Sequence, residues 1–96
     1  MSRILIVDDE VKACELLKRI LETDENEYDV MTSNSGIDAL KKVKSFTPTL
    51  ILLDIKMPGM DGMEVLRQVR KSDKDVGIIM LTAIVDKDVA DEAFRM

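Results

Sequence analysis

The sequence predicts an α/β fold, a doubly wound parallel sheet with helices on both faces. Three observations carry that prediction. Short continuous apolar runs recur along the 96 residues. Two of these runs end directly in acids, one in Asp8 and Asp9 and one in Asp54. Between the runs, apolar residues return at helical spacing. Strands alternating with helices build a parallel sheet, with helices covering both of its faces.

The elements follow in order. Ile4 to Val7 is uniformly apolar, which suits a strand buried on both faces. From Val11 to Thr23, the residues Cys14, Leu17, Ile20 and Leu21 repeat with a helical period. Tyr28 to Thr32 alternates and carries the charged Asp29, as an edge strand does. Asn34, Ser35 and Gly36 form a loop with a helix cap. Ile37, Leu40, Val43 and Phe46 then mark a second helix, and Pro48 punctuates. Leu50 to Leu53 is a second fully apolar run. Met57-Pro58-Gly59-Met60-Asp61-Gly62 is rich in turn formers. Met63, Leu66 and Val69 mark a third helix, and Gly77 to Leu81 a fourth strand. Asp86 can cap a last helix through Val89, Ala90, Ala93 and Phe94. There are no repeats, linkers or low-complexity stretches.

Composition narrows the function. With 46% hydrophobic residues the chain can build one packed core, although small folds bury a lower share of their surface. Acids outnumber bases 19 to 14, for a net charge of −5. Nucleic-acid binding needs a basic face, so nonspecific DNA binding by this segment is not expected. One cysteine, Cys14, excludes an internal disulfide and reads as a small buried residue on a helix. Arg3 is followed by only four apolar residues before Asp8, too few for a secretory signal. No apolar run approaches the roughly 20 residues of a membrane span. A soluble cytoplasmic protein is expected. The chain has no histidine, so a mechanism that needs one must take it from a partner.

Parallel sheets bind ligands at the carboxyl ends of their strands. Just past three strand ends stand Asp8 with Asp9, Asp54, and Thr82. If those strands are neighbours, the four side chains share one crevice. Each acid alone reads as a solvated strand end. Together they repel one another and call for a cation. Carboxylates are hard ligands suited to Mg²⁺, which keeps several waters and accepts phosphate oxygens. A carboxylate can also act as a nucleophile and form an aspartyl phosphate. The Thr82 hydroxyl could bond a phosphoryl oxygen. Without the acids it would read as an ordinary β-branched strand residue.

The chain resembles the receiver domain of bacterial two-component response regulators. The matching pieces are Ile4-Leu5-Ile6-Val7-Asp8-Asp9-Glu10, Leu52-Leu53-Asp54-Ile55-Lys56-Met57-Pro58-Gly59-Met60-Asp61-Gly62, and Ile79-Met80-Leu81-Thr82-Ala83. They stand in the right order and at the right spacing, and the likeness covers residues 1–96. It implies a flavodoxin-like, CheY-like sheet of strand order 2-1-3-4-5. It implies that Asp54 is phosphorylated by a sensor histidine kinase. Asp9 and Asp54 would bind Mg²⁺ directly, Asp8 mainly through water, and the Lys56 main-chain carbonyl would complete the protein ligands. Thr82 would be the switch hydroxyl, small Ala83 would leave room for approach, and Pro58, Gly59 and Gly62 would shape the loop after the acceptor.

The likeness stops short at Met96. The family's fifth strand and fifth helix, with their phosphoryl-contacting lysine and switch aromatic, have no counterpart here. Lys74 and Lys87 sit in the wrong context to replace that lysine. The expectation is an incomplete domain, a fragment or a chain that self-associates along an exposed fourth-strand edge. Impaired switching is expected of it. Two other functions compete. A Mg²⁺-dependent phosphohydrolase would place a second acid two residues after its nucleophile, where this chain has Lys56. A binding or structural module would carry the same pocket in silence.

Overall fold

The computed structural model describes residues 2–81. Thr82, Ala83 and the expected last helix lie outside the described residues. Seven elements alternate: β1 (Arg3–Val7), α1 (Val11–Glu22), β2 (Asp29–Ser33), α2 (Gly36–Phe46), β3 (Leu50–Leu53), α3 (Gly62–Ser72) and β4 (Gly77–Met80). All four strands are parallel, in the order β2-β1-β3-β4. The predicted elements are all present among the described residues, with ends shifted by a residue or so. β2 runs one residue further than its alternation suggested, because Ser33 pairs with Val7.

Alternation along β1 sorts the core into two layers. Leu5 and Val7 face α2 and α3, packing with Ala39, Ile51, Leu53, Val65, Leu66 and Val69. Ile4 and Ile6 face α1, packing with Cys14, Val30, Leu17 and Leu21. Complete burial of a side chain of this size is worth about 1.5–3 kcal/mol, so the first and larger layer dominates stability. The second is thinner. Leu50 and Leu52 are only partly buried, and Ile79, in register with Leu52, is 52% exposed. Two helical positions depart from the sequence reading. Ile20 lies off the Cys14–Leu17–Leu21 line and stays exposed, as does Ile37 in the first turn of α2.

Local chemistry sets the helix ends. Ser35 caps α2 by accepting from the Asp38 amide, and Asp61 caps α3 by accepting from the Glu64 amide. α2 stops at Thr47, whose φ of 48° is left-handed and unusual for a β-branched residue. Thr47 and its neighbours lock the amino end of the sheet. The Arg3 amide donates to the Thr49 hydroxyl, that hydroxyl donates back to the Arg3 carbonyl, and the Arg3 guanidinium donates to the Thr47 carbonyl.

Candidate functional site

Strand register builds the site. Val7 and Leu53 are partners, so the chain leaves both strands at the same height. The Asp54 amide donates to the Val7 carbonyl at 2.8 Å, and the Asp8 amide donates to the Ser33 carbonyl at 3.0 Å. Asp8, Asp9 and Asp54 therefore emerge side by side, with one carboxylate oxygen from each within 4.8 Å of the others. Asp54 is nearly closed to solvent at 7% exposure, Asp8 is intermediate and Asp9 is exposed.

The electrostatics are unfavourable for three anions alone. Asp8 and Asp54 at such separation repel by roughly 3 kcal/mol at an effective dielectric of 20. Burial pushes the Asp8 carboxyl up from its ordinary value. The hydrogen bond from the Glu10 amide pulls the other way, and the charge of Asp54 raises it further. A divalent cation reverses that repulsion. An all-carboxylate donor set with one buried, one half-buried and one exposed member fits Mg²⁺ with waters and a phosphate oxygen.

The loop after Asp54 is held against the acceptor. The Lys56 amide donates to Asp54 Oδ1 at 3.2 Å while the Lys56 side chain points to solvent. Ile55 and Met57 are buried and anchor the loop in the core. Gly62 donates to the Ile55 carbonyl at 2.8 Å. A side chain there would strike the Asp54 carbonyl, with its Cβ 2.6 Å from Ile55 Cα. Gly59 takes φ 74°, a conformation that favours glycine. Of the loop formers expected from sequence, Gly59 and Gly62 thus have direct geometric reasons, and Pro58 lies exposed.

The structure brings Asp8, Asp9 and Asp54 together. Thr82 falls outside the described residues. It also surrounds the pocket with groups the sequence reading left aside. Asn34 donates to the Asp8 carbonyl at 2.9 Å. Cys14 is buried as expected, and its thiol also donates to the Asp8 carbonyl at 3.4 Å. Burial pushes that thiol up in pKa, and the charge of Asp8 adds to the effect. No motif signals these contacts, because they bridge 26 and 6 residues between loop and helix.

Residues 4–96 match the family described as response regulator receiver domain. The chain is 42% identical over 83 residues to the transcriptional regulatory protein CpxR homolog of Haemophilus influenzae, covering 86% of this chain and 35% of that protein. It thus spans about a third of the curated relatives it matches. Its fold resembles response regulator protein TrrA of Thermotoga maritima, crystallised in complex with Mg²⁺–BeF. The TM-score is 0.82 and the identity 42%, over 97% of this chain and 81% of that one. A chain in the crystal structure of histidine kinase ThkA in complex with TrrA matches at TM-score 0.75 and 48% identity, over 83% of this chain and 67% of that one. Among the described residues no helix is long and apolar enough to cross a membrane. Sequence, strand order and acidic pocket agree, and the chain belongs to the response regulator receiver domains, with their flavodoxin-like, CheY-type fold.

Proposed function

We propose that this chain is the phosphoacceptor of a two-component system, taking a phosphoryl group on Asp54 from a partner histidine kinase. One observation carries the reading: the buried carboxylate of Asp54 lies within 4.8 Å of two further carboxylates at the carboxyl end of the sheet. An Asp54 oxygen forms the new bond to phosphorus as the bond to the partner's histidine nitrogen breaks, and that nitrogen keeps the electron pair. Asp8, Asp9, Asp54 and the Lys56 carbonyl would hold Mg²⁺, which supplies neutralisation of the charge on the transferring group. The Lys56 amide orients the acceptor. Thr82 is proposed as the hydroxyl that senses the product.

The complexes of TrrA with ThkA and with Mg²⁺–BeF support the kinase partner and the metal. The name of the Haemophilus relative supports control of an output, here from a cytoplasmic location. We also propose that two copies can pair along β4, since Ile79 is half exposed there and β4 pairs only with β3 among the described residues. A concentration-independent monomer in sedimentation would sink that pairing.

The test of acceptor function is mass. Incubation with a small phosphodonor and Mg²⁺ adds one phosphoryl group, and Asp54→Asn adds none. No gain under any condition favours the silent module. Turnover of a phosphomonoester in excess over protein favours the phosphohydrolase, against which stands Lys56 at the place of the second acid.

A further inference from the structure

The turn that joins β2 to α2 touches both walls of the acidic pocket. On one side, Asn34 Nδ2 donates to the Asp8 main-chain carbonyl at 2.9 Å, and the Asp8 amide donates to Ser33. On the other, the first residue of α2, Gly36, is buried against Met60 in the loop after Asp54. A Cβ at Gly36 would stand 2.6 Å from the Met60 carbonyl oxygen and 2.9 Å from both Met60 Cβ and Cγ. Those separations are not tolerated, so any side chain at position 36 must move the loop or the helix. The φ of Gly36 is not left-handed. Close approach, not backbone freedom, is what demands glycine here.

The turn itself is held firmly. The Ser33 hydroxyl donates to Asp38 Oδ2 at 2.7 Å and to the Ser35 carbonyl at 3.2 Å. The Ser35 hydroxyl accepts from the Asp38 amide at 3.1 Å. Asp38 is paired with Lys42 at 2.9 Å, and Lys42 also donates to the Thr32 carbonyl at 2.6 Å. These bonds tie the turn to the end of β2 and the first turns of α2.

We infer that Asn34 and Gly36 are positioning residues for the pocket, Asn34 fixing the Asp8 wall and Gly36 fixing the distance of the loop that follows Asp54. The inference rests on the Mg²⁺-dependent acceptor reading above. The two residues act on different steps. Asn34 holds the main chain of Asp8 and not its carboxylate, so its loss is expected at the lower end of the roughly 10- to 100-fold weakening that follows loss of support around a metal ligand. Gly36 sets the approach to the acceptor, where a displacement of about 1 Å can cost roughly 100-fold in rate.

The experiment measures Mg²⁺ affinity by calorimetry and phosphoryl uptake from acetyl phosphate at saturating Mg²⁺, with melting temperature recorded alongside. Asn34→Ala is expected to weaken Mg²⁺ binding about tenfold and to recover most of its uptake once Mg²⁺ saturates. Gly36→Ala is expected to slow uptake about tenfold or more even at saturating Mg²⁺. Adding Met60→Gly to Gly36→Ala removes the Cβ and Cγ contacts but leaves the 2.6 Å contact with the Met60 carbonyl oxygen, so uptake should recover only in part. Lowered melting temperature with unchanged Mg²⁺ affinity and uptake overturns the inference. If Gly36→Ala does not fold, the Asn34→Ala titration decides the inference. The unsubstituted protein runs in the same series. Its failure to bind Mg²⁺ and take up phosphoryl defeats the acceptor reading, whereas its success with indifferent variants defeats only the role of the turn.

Discussion

The two ends of the sheet are built on opposite terms. At the amino end, Arg3, Thr47 and Thr49 exchange hydrogen bonds, and Gly77 and Asp29 extend the ladder to the outer strands. Neighbouring groups there complement one another. At the carboxyl end, three carboxylates share a space of 4.8 Å, and burial works against the charge of Asp8. The same strands thus hold a self-satisfied edge at one end and an unfavourable charge cluster at the other. Such a cluster persists because the paired strands and packed layers between the ends over-determine it. The contrast teaches that the stabilising and the reactive parts of this fold are separable along one axis.

The strongest way to break that contrast is Asp54→Asn. It should abolish phosphoryl uptake completely while raising the melting temperature of the metal-free protein, since one of three neighbouring charges is gone. A loss of stability would mean that the acids serve the fold and that the two ends are not distinct. A smaller effect is expected from Thr49→Val at the opposite end. It deletes a hydroxyl that bridges the Arg3 amide and carbonyl, and should cost about 1 kcal/mol in denaturant unfolding. Mg²⁺ affinity should not change, and a change would show that the ends communicate.

The smallest effect is in pH. The Asp8 carboxyl is raised in the folded state above its ordinary 3.8. Its favourable contribution is therefore present below about 3.8 and lost as pH rises through the folded value. Metal-free protein should lose stability across that window, and Asp8→Asn should remove that part of the slope. Asp38 acts with the opposite sign. The hydrogen bond from Lys42, and then that from Ser33, lowers it below 3.8. Its stabilisation is present above 3.8 and lost as pH falls through its folded value. Asp38 stands at the same carboxyl end, beside Ser33, so comparing the profiles of Asp8→Asn and Asp38→Asn separates the crowded acid from a paired one there, and equal slopes would mean that Asp8 is not penalised by its neighbours.

Much of this was legible in residue order. Apolar runs ending in Asp8 and Asp54 announced both the strands and the site, because in a parallel sheet strand position and ligand position are the same fact. Ser35 as a cap was legible because capping is local. Contacts between distant segments were not. Asn34 read only as a loop former, yet it supports Asp8. Gly36 read as part of a cap, yet its lack of a side chain is required by Met60. Ile20 fits the helical period and still faces solvent, since period identifies a stripe and not its breadth. Thr47 shows no sign of a left-handed backbone in its residue type.

The order of the strands also governs when the fold can form. β1 leaves the ribosome before β2 and β3 but lies inside the sheet, between them. Ile4 meets Val30 and, on its other side, Leu50. At synthesis rates of about 5–20 residues per second, the 46 residues separating Ile4 from Leu50 take roughly 2–9 s to appear. Throughout that interval Ile4, Leu5, Ile6 and Val7 are an uncharged apolar segment whose β3-facing edge is unpaired. The polar residues on either side, Arg3 and the Asp8-Asp9-Glu10 run, flank that segment as charge guards against premature association. The acids that later hold the pocket thus serve the nascent chain several seconds before any pocket exists.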